Sequence, residues 1–388
     1  MDFDLPAEDD PRRLAVREWL RAHPQPSGPE LAEVGYVVPH WPRPWGLEAD
    51  AEHQLIIDDE LRRARVRRPQ NPVAIKNCGP VLLTAGTEAQ KHRYLMPALA
   101  GEEIWCQLFS EPGAGSDLAN LSTLALPEGD GYRVTGQKIW SSGAQRAQFG
   151  ILLARTDPEA RKRAGLSYFI VPMKAPAVDI RPIRDMTGQA DFSEVFFDGL
   201  RLPAENRIGA EGQGWQLARA TLQIERVAVS EPGALWGTGP TARDLVEGIR
   251  GRSEGAGPVL RQRAASLLIE GEILRLLQYR NITARLRGQQ PGPESSVYKV
   301  LSEVHGQQVL RLANDLLGPS GILHERSPFE DGRNWWHGFW FSPALTIGVG
   351  TTEILKNVIA ERVLGLPRDP EPDSEQSWSS TRGARAGG

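Results

Sequence analysis

Apolar residues recur at helical spacing through the first hundred positions. They then switch to short β-branched and aromatic runs, and later return to helical spacing. PRRLAVREWLRAH opens with Pro11 at a first helical position, where its missing N–H costs nothing. A Pro- and Trp-rich loop, VVPHWPRPWG, leads to a second helical stretch, AEHQLIIDDELRRARVRR. From about residue 106 to 205, GYRVTG, GILLAR, LSYFIVPM, VDIRPI and SEVFFDG predict strands of an antiparallel sheet or barrel. Gly136, Pro172 and Pro182 punctuate them. From about residue 213 helical spacing resumes, with Ile269, Ile273, Leu276 and Leu277 in one set and Val297, Val300, Leu301 and Val304 in another. Each set predicts an apolar stripe on one helix face. RGRSEGAGP reads as a loop, and the tail after Arg368 has too little apolar content to predict a fold.

The order helices, strands, helices is not the alternation of a doubly wound nucleotide-binding sheet, and no GxGxxG joins a strand to a helix. A chain of 388 residues is long enough for two or three domains. A net charge of -4 gives no reason to expect nucleic acid. No apolar run approaches the roughly 20 residues that span a bilayer, and the acidic opening MDFDLPAEDD is not expected to be a leader. The two cysteines, Cys78 and Cys106, suggest a reducing compartment, and the expected location is the cytoplasm. The seven histidines lack metal-ligand spacing, so no metal site is expected. Clustered tryptophans, Trp41 with Trp45 and Trp335, Trp336 with Trp340, fit core packing or the lining of an apolar cavity. Arg62, Arg63, Arg65, Arg67 and Arg68 fit a solvated helix end or a phosphate contact.

Two stretches carry candidate chemistry. In WCQLFSEPGAGSDLANLST, Gly113 and Gly115 flank Ala114, with Ser110 and Ser116 nearby. Such a turn brings backbone N–H groups and hydroxyls to a flat or anionic ligand, or makes a tight connection into a barrel. In GYRVTGQKIWSSGAQRAQFGILLART, Trp140 precedes Ser141 and Ser142, and an indole beside a hydroxyl suits a flat heteroaromatic ring. Together with HWPRPWGLEADAEHQLIIDDEL, GTEAQKHRYLMPALAGEEIWCQLFSEPGAGSD, DFSEVFFDGLRLPAENRIGAEGQGW and GTTEILKNVIAERVLGLPR, these stretches resemble the acyl-CoA dehydrogenase family, from about Leu14 to Arg368.

The resemblance implies an α+β, mainly α fold. Its parts are an N-terminal helical domain (1–105), a middle β-barrel (106–208) and a C-terminal four-helix bundle (209–368); the composition of 369–388 separately predicts a disordered tail. It implies FAD without a Rossmann fingerprint, an acyl-CoA substrate and an electron-transfer flavoprotein as acceptor. It also implies assembly as a homodimer, a homotetramer or a heterotetramer. Matching positions put Gln107, Phe109, Ser110 and Ser116 at flavin and pantetheine contacts, Trp140 against the isoalloxazine and Ser142 near the flavin's reactive nitrogen. Leu317 and Gly318 fall where a neighbouring subunit meets the ADP half, and Thr351 and Glu353 at further cofactor contacts.

Two departures stand out. The Arg-x-x-Phe-Gly element that many members carry is missing from RDLVEGIRGRSEGAGPVLRQR, and Val349 stands where many members have the base glutamate. Some members place the base on the first bundle helix, immediately before an arginine; the match here is Glu225, followed by Arg226 at a candidate substrate position. Pro232, further along, would kink that helix if it continued. The expected reaction is α,β-dehydrogenation of an acyl-CoA with Glu225 as base. The alternatives are an oxidase, a hydroxylase or a dehydrogenase of carrier-protein-tethered acyl groups on the same fold, or a non-catalytic subunit of a heteromeric enzyme.

Overall fold

Asp10 accepts a hydrogen bond from the Arg12 backbone N–H and starts helix α1 (Pro11–Ala22), with Pro11 in the first turn as its sequence position predicts. The same capping logic starts α2 (Gly28–Glu33) at Ser27, α3 (Ala51–Arg63) at Asp50 and α5 (Glu88–Ala100) at Thr87. Between them, a π-helical turn at Val73–Cys78 runs into α4 (Gly79–Ala85). The structure, a computed structural model, describes residues 6–228, 235, 239–251, 257–286, 292–319, 335–370 and 375–385. The side chains of 223–228, 282, 285, 286 and 382–385 lie outside that description, as does Pro232.

Eight strands follow: β1 (Trp105–Leu108), β2 (Leu124–Glu128), β3 (Gly131–Lys138), β4 (Phe149–Arg155), β5 (Leu166–Pro172), β6 (Val178–Ile183), β7 (Phe192–Pro203) and β8 (Arg207–Ile208). They order as β6-β7-β3-β2-β4-β5-β8, with β1 beside β4. Most pairs are antiparallel, but β1 runs parallel to β4, in register Trp105↔Phe149 to Leu108↔Leu152. The long connection through the β2–β3 hairpin permits that crossover.

β4 and β5 explain why their sequences are apolar throughout. Ile151 and Leu153 on β4, with Leu166, Tyr168 and Ile170 on β5, share a core with the N-terminal helices. Leu152, Ala154, Phe169 and Val171 face a second core with Val134, Val195 and Phe197. A strand buried on both faces cannot alternate.

The contacts group the chain into two compact units. One runs to Ile224, apart from Met186–Gln189, and resumes at Pro370; the other holds Met186–Gln189 and Glu225–Asp369. The N-terminal helices and the sheet form one unit because they share that first core. The division falls inside α6 (Gly214–Ala228), just before Glu225.

In the second unit, α7 (Ala242–Arg250), α8 (Pro258–Leu286), α10 (Trp335–Phe341) and α11 (Thr352–Arg362) all pack on α9 (Ser295–Leu317). The predicted stripes need correction. Ala264, Leu267 and Leu274 are the buried positions of α8, whereas Ile269, Ile273 and Leu276 are exposed, as are Leu301 and Val304 on α9. Helix α8 is apolar on two faces, and spacing alone does not say which face meets the chain's own core.

The tail is a second correction. Residues 377–381 are tied to the β4–β5 loop: the Trp378 N–H donates to Ala160 O at 3.0 Å and the Ser379 N–H to Pro158 O at 3.0 Å. Trp378 opens α12 (Trp378–Arg385) and is buried to 6% exposure. A composition average hides the one large apolar residue that finds a partner.

Of the two readings of the arginine run, ion pairing at a helix end is observed for Arg62 and Arg63, with Asp59, and for Arg68, with Asp58. Trp41 and Trp45 are core residues, and Gly79 lets α4 approach the Trp41 ring so closely that a Cβ would collide with it. The expected outcome of Gly79→Ala is a loss of about 1–3 kcal/mol, the usual range for overpacking; urea denaturation of the variant against the wild-type chain measures it.

Candidate active site

Lys138 ends β3 with its side chain fully buried, and everything at the exposed turn beyond it follows from that placement. Its ammonium donates to Phe109 O at 3.0 Å and to Glu111 Oε1 at 2.8 Å. Glu111 also accepts from the Ser122 N–H at 2.6 Å, the Ser122 hydroxyl at 2.8 Å and the Thr123 N–H at 2.9 Å. Glu111 and Ala114 exchange backbone hydrogen bonds at 3.1 and 3.0 Å, closing the glycine turn. Gly113 and Gly115 then face open space, where a Cβ would meet nothing within 4 Å.

Burial pushes the Glu111 carboxyl up, but the Lys138 charge and the donated hydrogen bonds outweigh it and hold Glu111 at about 2. Burial brings the Lys138 ammonium down to about 8, against the pull of Glu111. Burial also pushes the Cys78 and Cys106 thiols up, which removes both as thiolate nucleophiles.

One residue beyond, the Ile139 N–H donates to Ser110 O at 2.9 Å and the backbone turns sharply. Trp140 takes φ +61°, a left-handed conformation that costs a non-glycine residue about 1–2 kcal/mol. Ser141 and Ser193 hold the turn by exchanging backbone hydrogen bonds at 3.1 and 3.2 Å. The outcome is an indole left 56% exposed, supported edge-on by Phe192 at 5.9 Å, with Ser142 exposed beside it.

The other candidates of this unit are arranged around that turn. Ser116 is exposed and Ser110 half-buried. Gln107 accepts from the side chain of Asn77, which the π-helical turn presents to β1. Phe109 packs edge-on against Tyr168 at 5.7 Å, with its side chain in the core.

The second unit repeats the device. Buried Lys299 donates to Glu303 Oε2 at 2.5 Å, Leu345 O at 3.1 Å and Gly350 O at 2.8 Å. Glu303 Oε1 in turn accepts from the Thr352 hydroxyl at 2.6 Å. The gripped loop contains Val349 at φ +58°, an outlier for a β-branched residue. Thr351 caps α11 by accepting from the Ile354 N–H at 3.3 Å, and Glu353 is exposed in its first turn.

Leu317 and Gly318 lie at the far end of α9, about 27 Å along the helix from Lys299 at 1.5 Å per residue. Within one chain they do not join Thr351 and Glu353. Glu225 and Arg226 are helical residues of α6 whose side chains lie outside the described ones. Among the described residues no cluster of His, Cys, Asp or Glu could hold a metal ion.

Sequence reading missed the two lysine–glutamate pairs. Glu111 and Lys138 lie 27 positions apart, with nothing in their spacing to join them. Lys299 and Glu303 do stand at i, i+4, a signal that ordinarily marks a solvated helix face.

Models for the N-terminal, middle and C-terminal domains of acyl-CoA dehydrogenases match residues 10–102, 106–200 and 212–364. The chain is 37% identical over 343 residues to acyl-CoA dehydrogenase IpdE1 of Mycobacterium tuberculosis, covering 87% of each protein. The chain belongs to the acyl-CoA dehydrogenase family. Its curated relatives are named acyl-CoA dehydrogenases, which are oxidoreductases, and this chain is an enzyme of that class. It is also 40% identical over 338 residues to acyl-CoA dehydrogenase FadE34 of the same organism; the match covers 87% of this chain but only 46% of that protein's length. Among solved structures, the Tcur3481-Tcur3483 steroid ACAD superposes with TM-score 0.77 at 27% identity, covering 95% of this chain and 100% of that one. The ChsE4-ChsE5 complex from Mycobacterium tuberculosis gives 0.77 at 29% identity, with the same coverage.

In this acyl-CoA dehydrogenase the Glu111–Lys138 pair predicts a pH dependence. The folded value of Glu111, about 2, lies below its ordinary 4.5. Its stabilisation is therefore present above about 4.5 and is lost as pH falls toward about 2, amounting to about 3 kcal/mol. Glu111→Gln, which strands a buried ammonium, is expected to cost about 3–5 kcal/mol at pH 7 and to flatten that acid limb. Urea denaturation at pH 7, 5, 4 and 3 measures both.

Proposed function

We propose that the chain catalyses FAD-dependent α,β-dehydrogenation of an acyl-CoA thioester in the cytoplasm, with Glu225 as the base. The observation that carries the cofactor reading is the exposed, strained Trp140 beside Ser142 and the open glycine turn. An apolar ring held out at a backbone cost, next to a hydroxyl and uncovered backbone, fits a flat heteroaromatic group. Gln107, Ser110, Trp140, Ser142 and the Phe109 backbone would hold it, with Leu317, Gly318, Thr351 and Glu353 as further contacts; Ser116, at the edge of the turn, would serve the substrate's pantetheine as well. When bound, FAD supplies the acceptor for the hydride that leaves the β-carbon.

The chain's own work is proton removal and positioning. A glutamate at 225 takes the α-proton, a contribution typically worth about 100- to 10,000-fold. Hydrogen bonds to the thioester carbonyl stabilise the developing enolate, and Arg226 engages the substrate. Val349 leaves no acid on the loop before α11, which supports a base drawn from α6. The similarity to a structure titled steroid ACAD favours a bulky acyl group. An electron-transfer flavoprotein is the proposed acceptor.

The chain assembles with a second acyl-CoA dehydrogenase chain, its own copy or a related one. The exposed stripe Ile269, Ile273 and Leu276, with Leu301 and Val304, supports this, since contiguous apolar surface marks an interface. The solved neighbours titled as a pair and as a complex agree with it. Ile273→Glu combined with Leu301→Glu is expected to reduce the assembly to a single chain in sedimentation velocity; an unchanged coefficient would remove the stripe from the interface.

An acyl-CoA substrate is expected to bleach the flavin spectrum anaerobically, and Glu225→Gln to slow that bleaching at least about 100-fold with FAD still bound. Retained bleaching in the variant would take the role from Glu225. Rapid oxygen consumption by the reduced enzyme would favour the oxidase reading instead.

A further inference from the structure

Arg155 is a fully buried arginine at the end of β4. Its guanidinium donates to Ala119 O at 2.8 Å, Leu121 O at 3.4 Å and Lys162 O at 3.2 Å. The first two carbonyls belong to a short 3₁₀ turn, Leu118–Asn120 and its cap, that follows the glycine turn and Ser116. Lys162 ties the same region from outside, donating to Asp117 at 2.6 Å. Arg155 therefore spans two loops, the one that leaves the glycine turn and the one that joins β4 to β5.

The face of that guanidinium is covered by Trp378, with its carbon 4.3 Å from the ring centroid. A guanidinium stacked on an aromatic face while its edges meet carbonyls is held in one plane. The tail carrying Trp378 is itself fastened to the β4–β5 loop. Ser377 bridges Arg161, the Ser379 hydroxyl donates to Glu159 at 3.0 Å, and Glu375 pairs with Arg161 at 2.5 Å. A segment rich in Ser, Gly and Pro has little other reason to order.

We infer that α12 is a positioning element for the active site: Trp378, acting through Arg155, fixes the turn at 117–121 and so the placement of Ser116. Trp378 is a positioning residue, not a catalytic one. The expected consequence is on substrate binding, because Ser116 falls at a candidate pantetheine contact while proton removal is assigned to Glu225. The kinetic part rests on the function proposed above; the structural part does not.

The test uses the full FAD-loaded chain, Trp378→Ala, Trp378→Phe and a truncation after Asp369. Hydrogen exchange of peptides covering 117–123, without substrate, is expected to quicken about tenfold in the alanine and truncated forms and to stay near wild type in Trp378→Phe, which keeps an aromatic face. With an acyl-CoA, KM is expected to rise about three- to tenfold in the same two forms, with kcat within about twofold. Unchanged exchange at 117–123 in both, or a fall in kcat at constant KM, overturns the inference. A wild-type chain inert toward every thioester would refute the proposed function, and the exchange result would then decide the positioning claim alone.

Discussion

A buried ammonium that must find acceptors organises the exposed surface of the barrel. Lys138 cannot reach water, so its protons go to the Phe109 carbonyl and the Glu111 carboxylate. Satisfying Glu111 then draws in the Ser122 and Thr123 N–H groups. One ion pair thereby ties three separate stretches, 109–114, 122–123 and 138–139, into a single rigid corner. The glycine turn and Trp140 are what project from that corner. With the Ser141–Ser193 backbone pair on its other side, that corner keeps the Trp140 indole in a left-handed conformation.

The bundle solves the same problem in the same way. Lys299 grips the Leu345 and Gly350 carbonyls, its own acid Glu303 grips Thr352, and Val349 is held in a conformation that valine avoids. In both units a lysine–glutamate pair with almost no solvent exposure anchors a loop whose backbone is strained. Such pairs add little net stability over a well-packed apolar core. Their use is positional: a carbonyl held by a charge in a low-dielectric interior has few alternative geometries.

This arrangement leaves the shape of the loop independent of the side chain at 349. The grip on the loop is made through backbone carbonyls and through Thr352, none of which depends on the side chain at 349. Helix α6 carries Glu225 at the point where the two compact units divide. The corner around Lys138 has a similar independence. Its exposed groups are backbone, hydroxyl and indole, while the charged anchor stays buried behind them.

Periodicity along the chain determined the helix–strand–helix order, because a buried strand and an amphipathic helix need different spacings to hide apolar area. The strands predicted from GYRVTG, GILLAR, LSYFIVPM, VDIRPI and SEVFFDG all form, and Trp140 and Ser142 are exposed at the turn that ends the first of them. Tertiary structure alone decided the partners. Which face of α8 meets its own core depends on where α7 and α9 lie, so Ile269, Ile273 and Leu276 turn outward although their spacing is as regular as that of any core stripe. Glu111 finds Lys138, and Trp378 finds Arg155, across separations of 27 and 223 positions. Charge pairing and ring stacking act over a few ångströms of space, and no local pattern records which distant residues folding will bring within that range.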